Sequence, residues 1–101
     1  MPKGYVILTE AIKDPEGMKA YGQAAGAAMG GVNILAVDTA PKALEGSWHG
    51  DQTVVPEFES VDAARAWYES EAYQKAAKLR QAAADCNAVI LAGFEIPSAS
   101  S

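Results

Sequence analysis

Apolar runs with large aliphatic side chains at both parities narrow the folds open to this chain. In "GYVILTEAI", Tyr5, Ile7 and Thr9 fall on one face of a strand, and Val6 and Leu8 on the other. "VNILAVDT" (32–39) sets Val32, Ile34 and Ala36 against Leu35 and Val37. "AVILAGFE" (88–95) sets Val89 and Leu91 against Ala88, Ile90 and Phe94. "TVVPEFE" (53–59) reads as a further strand, weakened by Pro56, which has no N–H for a ladder. An antiparallel sheet with one wet face alternates apolar and polar residues, and these strands do not. Both of their faces need cover.

Two helical stretches lie between the runs. "DPEG" supplies a start, with Asp14 as N-cap, Pro15 at the first helical position and Glu16 in the first turn. Met18, Tyr21, Ala25 and Ala28 then share a face, and Gly30-Gly31 ends the helix. Gly22, Gly26 and Gly30 stand four apart; mid-helix glycine is costly, so close backbone packing is expected there. Ser60 and Ser70 each read as an N-cap, splitting the second helical region in two. Its longer part is expected to bury Ala72, Ala76, Leu79 and Ala83 and to end at Asn87, while residues 43–45 resume strand pairing before the loop "GSWHGDQ". The order β-α-β-β-α-β predicts an α+β, ferredoxin-like fold: a four-stranded antiparallel sheet, order 4-1-3-2, with the helices on one face. Pro41 puts the second strand at an edge. The helices cover one sheet face only, so the other calls for a second copy: a homodimer through sheet faces.

Length allows a single domain, residues 1–96, with 97–101 a polar, disordered tail. Thirteen acids against eight bases give a net charge of −5, which argues against nucleic-acid or anionic-membrane partners. No apolar run nears the ~18 residues of a membrane span, and "MPKGYVIL" lacks the build of a signal peptide. A single cysteine, Cys86, with no basic neighbour in sequence, suits a reducing cytoplasm and reads as a small, half-buried thiol near a helix end. One histidine and one cysteine match no zinc spacing, so neither metal nor cofactor is expected.

Taken together, "GYVI", "LEGSW", "VVPEFES", "AWYESEAYQ", "KLRQAAAD" and "VILAGF" resemble the domain-of-unknown-function family 1330, of the dimeric α+β barrel superfamily, from about Lys3 to Phe94. The resemblance implies a ferredoxin-like protomer and a dimer whose two sheets form a barrel. It implies no established reaction: relatives in the wider superfamily include cofactor-independent monooxygenases, lactone isomerases and haem enzymes. The family's recurrent positions fall here at Tyr5, Glu45, Gly46, Trp48, Phe58, Ser60, Trp67, Tyr68, Tyr73 and Arg80. Gln52 stands where a basic residue is common, and Pro56 where an aliphatic one is.

Chemistry has few candidates. In "LEGSWHG", Glu45 and His49 can act as a general base and its orienting partner, with Trp48 as an apolar wall. The plain alternative has Trp48 sealing the dimer, Glu45 bonded to loop amides and His49 in water. Arg80 can bind a substrate carboxylate bidentately, or lay its stem on the helix with a solvated head. Tyr73 reads as core or pocket wall, and Tyr5, on the first strand, as a ligand-orienting group. Two functions fit: a cofactor-independent enzyme acting on a small, mainly apolar molecule, or a non-catalytic dimeric ligand-binding or structural module.

Overall fold

The computed structural model describes residues 2–95, which run β1 (Gly4–Ile12), α1 (Pro15–Ala28), β2 (Asn33–Asp38), β3 (Gln52–Phe58), α2 (Val61–Glu69), α3 (Glu71–Ala83) and β4 (Ala84–Ala92). The expected tail at 97–101 lies outside the described residues. The caps follow the local chemistry. Ser60 accepts a bond from the Ala63 N–H, and Ser70 from the Tyr73 N–H, so two short helices replace one long one. Asp14 precedes α1 as expected, but its side chain makes no capping bond.

The four strands pair antiparallel in the order β2-β3-β1-β4, which is the expected order, with β2 at an edge. Register sorts the faces. Leu8 lies opposite Val54 and Ala88, while Ile7 lies opposite Val89 and Tyr5 opposite Leu91 and Glu57. Val6 and Leu8 are 1% and 0% exposed beneath the helices; Val89 and Leu91, on the opposite face, are 50% and 49% exposed. One face is therefore covered and the other open.

The core has two parts. Val6, Leu8 and Ala64 join sheet to α2, flanked by Val54, Phe58, Trp67 and Ile90. Tyr21 and Ala25 of α1 pack on Tyr73, Ala76 and Ala77 of α3. Trp67 ties them together, stacking on Tyr73 at 4.0 Å between ring centroids and donating from Nε1 to the Ala28 carbonyl.

Four expectations need correcting. The buried stripe of α3 is Tyr73, Ala76, Ala77, Arg80 and Ala83; Ala72 and Leu79 face solvent, because the aromatic cluster draws the Tyr73 face inward. Asn87 does not end a helix: β4 starts directly at Ala84 and pairs Asn87 with Thr9. Residues 43–45 do not resume the strand, and Leu44 and Glu45 are bends. Gly22, Gly26 and Gly30 meet nothing within 4 Å of an added Cβ, so close packing does not offset their cost.

Candidate functional site

Glu10 continues the inward parity of Val6 and Leu8, and so β1 carries a carboxylate into the covered face, where it is 0% exposed. The Gln52 side chain, from β3, donates to its Oε1 at 2.8 Å. Its Oε2 is buried and has no partner in the chain. Burial raises the Glu10 pKa above the usual carboxylate range, against the pull of the Gln52 bond and the Arg80 charge.

Arg80 enters the same interior from α3 and is 1% exposed. Of its two sequence readings, the solvated head is overturned: the rotation of the α3 stripe turns the guanidinium inward. The Tyr21 ring lies 5.9 Å from Cζ, and Tyr73 and the half-buried Cys86 of β4 are its other neighbours. Burial opposes the charge, but Tyr73, Cys86 and Tyr21 together hold the guanidinium protonated. Arg80, six residues before Cys86, is set beside it by the direct passage from α3 into β4. Nε and Nη2 of Arg80 are buried without partners. Among the described residues no ion pair within 4.0 Å joins Arg80 to Glu10. The Tyr21 and Tyr73 hydroxyls bond each other at 2.9 Å, and burial raises the pKa of both.

The loop before β3 connects this interior to the open face. Gly50, at φ +87°, crosses so close to β1 that an added Cβ would lie 2.6 Å from the Glu10 carbonyl. The Asp51 N–H donates to that carbonyl at 2.8 Å, and the Asp51 carboxylate accepts from the Ile12 N–H at 2.9 Å. On the open face, His49 Nδ1 sits 2.7 Å from Thr9 Oγ1 and Nε2 3.4 Å from Asp85 Oδ2. Trp48 donates from Nε1 to Thr53 Oγ1 at 2.8 Å and remains 52% exposed. With Ile7, Thr9, His49, Asn87 and Val89 it lines a shallow hollow of about 230 Å³.

Glu45 is exposed in a separate groove, with Pro41, Leu44 and Trp48 among its walls. Tyr5 lies at the far end of the open face, and its hydroxyl bond to Glu57 raises its pKa. Tyr73 is 0% exposed beside Arg80. The candidates thus separate: Arg80 and Tyr73 meet in the interior, Trp48 and His49 border the open face, and Glu45 stands in solvent. Glu10 and Gln52 were missed, although a lone acid at the inward parity of an apolar strand was a readable signal.

A four-stranded antiparallel sheet, one face under helices and one open, with polar groups buried between sheet and helices, defines a ferredoxin-like α+β protein. The chain belongs to the family called Domain of unknown function (DUF1330), whose model matches residues 3–94. Solved structures agree on the fold. RPA0582, a protein of unknown function from Rhodopseudomonas palustris, is similar at 22% identity and a TM-score of 0.70, over 94% of this chain and 85% of that one. A dimeric ferredoxin-like protein of unknown function from Thermobifida fusca is similar at 18% identity and 0.65, over 90% and 91%. SnoaB, a cofactor-independent oxygenase from Streptomyces nogalater, is similar at 8% identity and 0.65, over 95% and 97%. A comparison with curated protein sequences finds no match. No described helix is long and apolar enough to cross a membrane.

Proposed function

We propose that this protein is a cofactor-independent enzyme that acts on a small, mainly apolar molecule, as a cytoplasmic homodimer closed through its open sheet faces. The buried, unpaired Glu10–Arg80 arrangement carries the reading. Ionisable groups held in an interior without full pairing cost stability, and such perturbed groups concentrate where chemistry is done. Glu10, its pKa raised by burial, is suited to hold a proton above the ordinary carboxylate range and to exchange it with a substrate. Arg80 and Tyr73 orient the substrate beside it. His49, fixed by Thr9 and Asp85, acts as a positioning residue: it braces the loop that brings Gln52 to Glu10. Trp48 and Tyr5 meet the second copy across the open face.

The test is a thermal-shift screen of small metabolites followed by turnover assays on the hits. Expected is a compound that stabilises both wild type and Glu10→Gln but is converted only by wild type. Hits that Glu10→Gln converts as fast as wild type overturn the assignment. The second reading, a non-catalytic dimeric binding or structural module, is favoured by the exposure of Glu45. It gains if hits bind and none is converted.

A further inference from the structure

Arg80 and Glu10 are a buried base and a buried acid in one interior, yet no ion pair within 4.0 Å joins them, and both keep polar atoms without partners. A buried charge without a partner is destabilising, and a direct bond between the two would relieve both. The unpartnered nitrogens of Arg80 are Nε and Nη2. These two N–H groups point the same way from the guanidinium plane and form its side-on fork. The spacing of that fork matches the two oxygens of a carboxylate. On the other side, Glu10 Oε2 is the carboxyl oxygen that Gln52 leaves free.

We propose that the buried Arg80 fork, beside Glu10, is a binding site for a small organic carboxylate, which takes the fork with its two oxygens and accepts a hydrogen bond from the Glu10 carboxyl. The proposal rests on the reading of this interior as a ligand site and adds the substrate's chemical class. The rest of the ligand is apolar or aromatic, because Tyr21 and Tyr73 stand beside the Arg80 guanidinium and belong to an apolar cluster. Charge balance supports the class: a bound monoanion offsets the Arg80 cation and favours the protonated form of Glu10, so binding takes up a proton. The charged or titratable groups gathered on this point are Arg80 and Tyr73 from α3, Tyr21 from α1 and Cys86 from β4; Gln52 from β3 is the neutral one. None of them is an acid that would repel the ligand once Glu10 holds its proton. α1 supplies Tyr21 and Ala25 to the layer that covers this interior. It has no side-chain cap at Asp14, and Gly22 and Gly26 lie in its interior with nothing packed on them.

The experiment is calorimetric titration of the full chain with benzoate and with its neutral isostere benzamide, at pH 6 and pH 8, in buffers of different ionisation enthalpy. Expected are benzoate binding at least tenfold tighter than benzamide, proton uptake on binding, and weaker binding at pH 8. Arg80→Lys keeps the charge and loses the fork, and is expected to lose benzoate by at least tenfold while circular dichroism shows the fold retained. Glu10→Gln can still donate a hydrogen bond, so it is expected to bind benzoate with neither proton uptake nor pH dependence. This variant keeps the test decisive if Arg80→Lys fails to fold. Equal binding of benzamide and benzoate overturns the carboxylate class and leaves the acid–base reading of Glu10 standing. No heat from benzoate, with the folded wild type intact, overturns the proposal. A neutral metabolite converted by wild type and not by Glu10→Gln would, in that case, still support the enzyme.

Discussion

Glu10 concentrates the energetic tension of this protein, and its titration gives that tension a measurable sign. Its folded pKa is raised chiefly by burial, so the folded state binds the Glu10 proton more tightly than the unfolded chain does. Its contribution to stability is full below the ordinary carboxylate range and is lost as pH rises through the raised value. Glu57 has the opposite sign: bonds from Asn33 and Tyr5, with Lys3 nearby, lower its pKa, so its contribution is lost on acidification. The two are separated by difference. Urea unfolding from pH 4 to pH 8 should show wild type losing stability relative to Glu10→Gln as pH rises, and parallel curves would place the Glu10 carboxyl in water. Gly50 is the second critical residue, since only glycine takes φ +87° without strain where the chain passes against the Glu10 backbone. Gly50→Ala should cost about 2 kcal/mol in urea unfolding. A loss under about 0.5 kcal/mol, the ordinary range for a surface change, would show that the crossing is not tight. Glu10 was legible through strand parity, whereas Gly50 declares itself only through the strand it crosses.

At the level of elements, the helices differ in how well they are secured. α2 and α3 begin with serine caps, each worth about 1 kcal/mol against alanine, and both caps were readable as Ser followed by an acid in the first turn. α1 has the expected Asp14-Pro15 start without the capping bond, and its interior glycines face open space. Gly22→Ala with Gly26→Ala should therefore raise stability by about 1 kcal/mol per site. Amide exchange in α1 should slow in the double variant, and the association rate of any interior ligand should fall with it. Unchanged exchange would separate α1 opening from helix propensity. The register of α3 shows why alanine-rich helices read poorly. Ala72, Ala76, Leu79 and Ala83 and the true set Tyr73, Ala76, Ala77, Arg80 and Ala83 differ by a small rotation about the helix axis. Alanines on every side give a weak hydrophobic direction, so the packing of Tyr73 on Trp67 and Tyr21 decides the rotation.

For the whole molecule, the open sheet face is the dominant physical fact. Ile7, Val55, Val89 and Leu91 share it with the exposed indole of Trp48, and Phe94 beyond β4 is 84% exposed. The Cα extents of 52 × 35 × 16 Å describe a slab, and its radius of gyration of 14.8 Å exceeds the ~13 Å of a compact chain of this length. Two such slabs packed open face to open face bury the apolar patch and also cover the Trp48–His49 hollow. Size exclusion with light scattering at low micromolar concentration should give twice the protomer mass, and Leu91→Lys should give the single protomer mass with its circular dichroism unchanged. A wild type of single protomer mass would overturn the dimer.

The sequence by itself determined the element order, the edge position of β2, the serine caps and the presence of two apolar sheet faces. Each of these follows from local chemistry: strand parity, proline's missing N–H, and a hydroxyl placed before a helix. Only the tertiary structure decided that Glu10 and Arg80 face one interior, that Cys86 lies beside a guanidinium, and that Glu45 and His49 part company across the loop. Those outcomes depend on helix rotation, on the turn from α3 into β4, and on chain crossings such as Thr9 to His49 and Glu10 to Gln52, about forty positions apart. Packing free energy sets such geometry, and no local pattern encodes it.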